Sequence, residues 1–136
     1  FDLVKSHIAK KEHSFSKKLL NWRLKLHYRK YKKYPDFYLP TFLDNHDMNR
    51  FLFESDNNKK KLKQAAKVQL SQDQPPIIYY GTEVGMSQKK SIHEISEHGD
   101  LQARQPMKWK EENQDQNLLN FYQNLIAKRK THNKNW

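Results

Sequence analysis

Phe37-Tyr38-Leu39-Pro40-Thr41-Phe42-Leu43 is a short run of aromatic and apolar residues that stops at the polar cluster Asp44-Asn45-His46-Asp47. Its length and composition are those of a buried β-strand. A second compact run, Ile77-Ile78-Tyr79-Tyr80, follows the break Gln74-Pro75-Pro76 and closes at Gly81-Thr82-Glu83. Both runs therefore deliver polar side chains at their carboxyl ends.

Helices are expected on either side of these runs. Between them, a helix is expected from about Asn58 to Leu70, capped by Asp56 or Asn57, with Leu62, Ala65, Ala66 and Leu70 turned inward. Upstream, Ser16 to Tyr34 reads as a helix with Leu20, Leu24, His27, Tyr28 and Tyr31 at helical spacing, ended by Pro35. Downstream, residues 84–108 show no period. A last helix opens near Asn113 or Asp115 and carries the stripe Leu118, Phe121, Tyr122, Leu125 and Ile126.

The order is that of an α/β fold with parallel strands and crossover helices. Two parallel strands do not make a stable open sheet, because such sheets need both faces covered. The expected fold class is therefore two β/α units with flanking helices from a (β/α)8 TIM barrel, incomplete on its own. A complete barrel takes roughly 250 residues, against 136 here. The expected division is residues 1–35 (helix before the first strand), 36–83 (strand, helix, strand), 84–112 (long loop) and 113–136 (final helix). In such barrels the working residues sit at the carboxyl ends of the strands, where both polar clusters lie.

Composition is consistent with a piece that shares its core with other chain. Hydrophobic residues make up 35%, charged residues 30%, and the mean hydropathy is −1.14. A chain this polar has little apolar area to offset the entropy of ordering, while 12% aromatic residues argue against disorder. Lysine and arginine number 26 against 15 acidic residues, for a net charge of +11. The excess gathers in Lys10-Lys11, Lys17-Lys18, Arg29-Lys30-Tyr31-Lys32-Lys33 and Lys59 to Lys63. This reads as solvated helix faces. The alternative is a noncatalytic basic module for nucleic acid or acidic polymers, although no zinc-finger, RNA-recognition or basic-zipper pattern accompanies the charge. The absence of cysteine excludes disulfides and thiolate metal sites. No stretch approaches the length of a membrane span, and no membrane partner is expected. No signal peptide is visible, Phe1 is not an initiator methionine, and the cytoplasm is the favoured compartment.

Three stretches resemble one family. Phe42-Leu43-Asp44-Asn45-His46-Asp47-Met48-Asn49-Arg50 resembles the motif ending the seventh barrel strand of the α-amylase superfamily. Pro76-Ile77-Ile78-Tyr79-Tyr80-Gly81-Thr82-Glu83-Val84-Gly85-Met86 is similar to that family's eighth-strand segment. Asp100-Leu101-Gln102-Ala103-Arg104-Gln105-Pro106-Met107-Lys108-Trp109 resembles the stretch after strand eight in neopullulanase-like and cyclomaltodextrinase-like members. The chain thus looks like the carboxyl-terminal part of a glycoside hydrolase barrel, holding strands 7 and 8.

The resemblance implies roles. Asp47 matches the transition-state-stabilising aspartate, which grips sugar hydroxyls beside the cleaved bond. His46 matches a histidine bonding the same sugar. Asp100 and Arg104 match residues that contact sugars deeper in the cleft, the other reading of the two being a surface ion pair. Asn45, Arg50 and Glu83 read as structural residues near the site. The chemistry is consistent, since hydrogen bonds to ring hydroxyls strengthen as the oxocarbenium-like state forms. The other reading of the Asp44-Asn45-His46-Asp47 cluster is a turn and cap, or half of a metal site through Asp44, His46 and Asp47.

A retaining glycosidase also needs a nucleophile and a general acid/base roughly 5–5.5 Å apart. The family's nucleophile is an aspartate two residues after an arginine, and none of Arg23, Arg29, Arg50, Arg104 or Arg129 is followed so. The strand-five glutamate and the strand-three Asp-x-x-x-Asn-His motif are absent too, so these residues alone are expected to hydrolyse nothing. The implied substrate is an α-glucan or maltooligosaccharide, cleaved at α-1,4 or α-1,6 bonds with retention and with no cofactor required. Calcium accompanies many relatives, but no ligand set is visible and no metal site is expected. Self-association of the isolated chain is expected through its uncovered sheet. The family's usual glycine before the strand-eight proline is missing from Leu70-Ser71-Gln72-Asp73-Gln74-Pro75-Pro76.

Overall fold

A computed structural model describes residues 8–9, 17–29, 31, 33–34, 36–94 and 99–132. Four α-helices are described: α1 (Lys17–Arg29), α2 (Phe51–Glu54), α3 (Lys59–Leu70) and α4 (Gln116–His132). Two 3-10 turns, Gly99–Gln102 and Glu111–Asn113, lie in the segment before α4.

The two extended runs lie side by side and parallel, as expected, but they pair through one bridge, Thr41 with Pro76. The Thr41 N–H donates to the Pro75 carbonyl at 2.8 Å and the Ile77 N–H to the Thr41 carbonyl at 2.7 Å. No longer strand forms among the described residues, which corrects the expected pair of full strands. The cause is local. Pro40, Pro75 and Pro76 have no N–H to give a ladder, and glutamine side chains take up neighbouring groups. The Leu39 N–H donates to Gln74 Oε1 at 2.7 Å. Gln69, buried on α3, donates its Nε2 to the carbonyls of Thr41 (2.8 Å) and Ile77 (3.0 Å) and so staples the helix to both runs.

α1 ends at Arg29 rather than at Tyr34. Successive i→i+3 bonds follow, from the Tyr31 N–H to Tyr28 and from the Tyr34 N–H to Tyr31, the tighter winding common at helix ends. Leu24 is buried and Tyr28 half-buried, whereas His27, expected inward, is exposed. Ser16, Pro35, the Lys10-Lys11 pair, Lys30 and Lys32 lie outside the described residues, as does the Leu20 side chain.

The cap of α3 is Asn58, not Asp56 or Asn57. The Asn58 side chain accepts from the Lys60 and Lys61 N–H groups at 3.0 and 3.2 Å. Asp56 and Asn57 both have a φ of 56°, a left-handed turn that closes α2 and leaves the next residue to cap. At its other end α3 stops without glycine. Ser71 keeps a right-handed conformation, and the Arg129 guanidinium of α4 donates to the carbonyls of Leu70, Gln72 and Gln74.

Leu62, Ala65, Ala66, Val68 and Leu70 of α3 join Leu43, Phe51, Leu52, Leu118 and Tyr122 in one apolar cluster, with Phe121, Leu125 and Ile126 packed against it. Lysines flank this seam. Lys59 pairs with Asp115 at 2.7 Å, Lys61 donates to the Ala9 carbonyl, and Lys63 sits 5.2 Å from the Phe121 ring centre. Part of the Lys59–Lys63 cluster is therefore engaged within the chain.

Asp115 caps α4, accepting from the Leu118 N–H at 2.9 Å. The Lys59 ammonium above all, then the Leu118 N–H, holds its carboxyl below the usual value. A depressed folded pKa contributes stability above the unfolded value of 3.8, and that stability is lost as pH falls through the folded value. Asp115→Asn should thus melt below the parent at neutral pH, with the gap closing under acid. A gap independent of pH in thermal melts would contradict the pairing.

The turn after Tyr80 needs glycine. Gly81 has a φ of 83°, and a Cβ there would come within 2.2 Å of Met86 Sδ. Gly85 has a φ of 80°, but its Cβ would meet only ordinary contacts, from 3.4 Å. Gly81→Ala is expected to cost about 2–4 kcal/mol, left-handed strain plus overpacking, and Gly85→Ala about 1–2 kcal/mol. Equal urea midpoints for the two variants would mean that the Met86 contact is not felt.

Candidate active site

Residues 45–48 form an arch beyond the first extended run, between Asp44 on one side and Asn49-Arg50 on the other. Asp44 turns inward. It is 2% exposed and accepts from the Phe51 N–H at 2.9 Å and the Thr82 hydroxyl at 2.8 Å. This excludes the reading of Asp44, His46 and Asp47 as a shared metal site, since Asp44 faces the core and its two neighbours face solvent. No group of three or more His, Cys, Asp or Glu side chains able to hold a metal gathers among the described residues.

On the arch, Asn45 Oδ1 accepts from the Asp47 N–H at 2.9 Å, a local turn that presents Asp47 outward. The Asp47 side chain is 65% exposed. One carboxylate oxygen lies 3.1 Å from His46 Nε2, and the other lies 3.1 Å from Arg104 Nη2. Arg104 also reaches Asp100 at 2.9 Å and donates its Nε–H to the His46 carbonyl at 3.2 Å. Asp47, His46, Asp100 and Arg104 are thus joined in one exposed chain of polar contacts, although 57 residues separate Asp47 from Arg104 in sequence.

Arg50 lies below, 1% exposed. Its guanidinium sits 4.2 Å from the Tyr79 ring centre and 4.8 Å from that of Tyr80. It donates to the carbonyls of Ala103 (3.1 Å) and Tyr80 (2.5 Å) and to Thr82 Oγ1 (3.4 Å). One side chain thus fastens both extended runs to the loop bearing Arg104. Burial above all, then the neighbouring Tyr80, pushes the Tyr79 phenol up to about 12. Glu83 stands apart from the exposed chain. Its Oε2 is buried without a hydrogen-bond partner among the described residues, as is the Tyr122 hydroxyl. Burial, and then the Asp44 and Glu83 carboxylates, raise the Tyr122 pKa.

Four further residues hold the arch: Asp44, Asn49, Thr82 and Gln88. The first three lie inside the motifs quoted above, where their position could have marked them. Gln88 has no local signal, and its part follows from contacts 38 and 39 residues away in sequence.

Parallel extended runs joined through a helix, with charged groups gathered past their carboxyl ends, are the arrangement of a β/α barrel's working face. The chain belongs to the alpha-amylase catalytic-domain family, which matches residues 1–135. It is 42% identical over 92 residues to alpha-amylase 2 of Dictyoglomus thermophilum, covering 68% of this chain and 16% of that protein. To neopullulanase 2 of Thermoactinomyces vulgaris it is 37% identical over 89 residues, covering 65% and 14%. A solved cyclomaltodextrinase superposes with a TM-score of 0.79 at 27% identity, over 97% of this chain and 21% of that one. An alpha-amylase structure from H. orenii gives 0.72 at 26% identity, over 99% and 31%. The chain spans about a sixth of the length of the curated relatives it matches. Among the described residues no helix is long and apolar enough to cross a membrane.

Proposed function

We propose that these residues work inside a full-length (β/α)8 barrel that cleaves or transfers α-glucans with retention, and that they supply its seventh and eighth strand units. The observation that carries the reading is the exposed Asp47 carboxylate on an arch whose two ends are buried. An ionised carboxylate has about four acceptor directions. Arg104 and His46 use two of these in the resting arrangement, which leaves room for sugar hydroxyls. Asp47 would grip hydroxyls of the ring that distorts, and His46 would donate to the same ring. Arg104 and Asp100 would hold the next sugars. The strain falls on the ring as charge develops, so these bonds tighten at the transition state.

Nucleophile and general acid/base would come from other barrel units. Trp22, Leu26, Tyr34, Phe37, Tyr38 and Ile77 are about half exposed. They mark the faces that those units would cover, or through which the isolated chain would self-associate. Asn45, Arg50 and Glu83 would brace the loops, and no cofactor would be needed.

The test is product stereochemistry. Proton NMR of the full-length protein acting on maltoheptaose should show the new reducing end appearing first as the α-anomer. Initial release of the β-anomer, or no cleavage, would overturn the proposal.

A further inference from the structure

The Asp47 arch is held at its first end by Asp44, through contacts to Phe51 and Thr82. At its second end the grip comes from Gln88, in the loop beyond the other extended run. Gln88 is 8% exposed. Its Oε1 accepts from the Arg50 N–H at 2.7 Å, and its Nε2 donates to Asn49 Oδ1 and to the Lys90 carbonyl, both at 2.7 Å. Asn49 completes the clamp. Its Oδ1 also accepts from the Ile92 N–H at 2.8 Å, and its Nδ2 donates to Glu54 Oε1 at 2.7 Å and Ser91 Oγ at 3.1 Å.

We propose that Gln88 is a positioning residue for Asp47, setting from the second run's loop where the arch places its carboxylate. This rests on the cleft role proposed for Asp47. The amide is suited to the task because one of its atoms must accept while the other donates. Glutamate would set an acceptor against Asn49 Oδ1. Turning the Asn49 amide over would not relieve this, since the Ile92 N–H would then lose its acceptor and Glu54 would face an oxygen. Buried paired networks of this kind are costly to leave half-satisfied, and displacement of a positioned group by about 1 Å can cost about 100-fold in rate.

The test uses the full-length protein and Gln88→Leu. Expected is a loss in kcat of about 10- to 100-fold with KM little changed. In an Asp47→Asn background the same substitution should cost nothing further, because its effect passes through Asp47. Hydrogen exchange at the Arg50 amide should quicken while α3 and α4 keep their protection. An unchanged kcat, or an equal loss in both backgrounds, overturns the proposal. If the parent cleaves no α-glucan, the sugar-gripping role proposed for Asp47 fails. The clamp is then judged by exchange alone, and an unaltered Arg50 amide overturns it. Should Gln88→Leu fail to fold, Gln88→Glu keeps the acceptor for Arg50 and is judged by the same measurements.

Discussion

Asp47→Asn in the full-length protein should lower kcat by roughly 100- to 10,000-fold, the kinetic equivalent of losing the several kcal/mol that sugar hydroxyl bonds gain at the transition state. Asparagine keeps the shape and one acceptor, so ground-state binding and KM should change much less. Stability should scarcely move. The contacts of Asp47 are exposed, with the His46 and Arg104 side chains 60% and 40% exposed, and even charged pairs so exposed are worth roughly 0–1 kcal/mol. Steady-state kinetics alongside a urea melt therefore separate the two roles. A tenfold or smaller loss in kcat, or a large drop in the melt, would make Asp47 a structural residue.

Arg50→Met should do the reverse, lowering stability by about 3–5 kcal/mol while placing no change on any group that touches sugar. The guanidinium is buried against the rings of Tyr79 and Tyr80 and donates to two carbonyls and a hydroxyl. Methionine fills much of the volume but leaves the Ala103 and Tyr80 carbonyls without this donor. Hydrogen bonds to a charged group are worth about 1.5–3 kcal/mol each, and burying an unpaired acceptor adds its own penalty. Arg50→Lys should recover little, because an ammonium lacks the planar fork that reaches three acceptors while stacking on rings. Chemical denaturation of both variants checks this. A methionine variant as stable as the parent would show that the runs and the Arg104 loop hold together without the bridge.

Much of the architecture was legible from periodicity. The stripe Leu118, Phe121, Tyr122, Leu125 and Ile126 marks α4, and Leu62, Ala65, Ala66 and Leu70 mark the buried face of α3. The four-residue α2 was not legible, because Phe51–Glu54 is too short to show a period. The two extended runs were located by composition, but the extent of their pairing was not, since Pro40, Pro75 and Pro76 cut the ladder and Gln69 replaces it from a helix. The cap of α3 is Asn58 rather than Asp56 or Asn57 because those two residues are themselves left-handed.

The candidate site was legible in its residue types. Motifs name Asp47, His46, Asp100 and Arg104, and the fold brings all four into one chain of contacts. What holds that chain was hidden. Gln88, Gln69 and Arg129 act through side-chain bonds to groups as far as 59 residues away, and nothing in a glutamine's neighbours announces that its amide will be buried.

A crystal structure of the full-length protein, inactivated at its nucleophile and with a maltooligosaccharide bound, would show whether Asp47 and His46 grip sugar. Asp47 and His46 should lie within hydrogen-bond distance of hydroxyls on a single ring, roughly 2.5–3.2 Å, with Arg104 and Asp100 on the sugars beyond. A glucan that passes elsewhere and leaves the 45–48 arch untouched would contradict a sugar-binding role for Asp47.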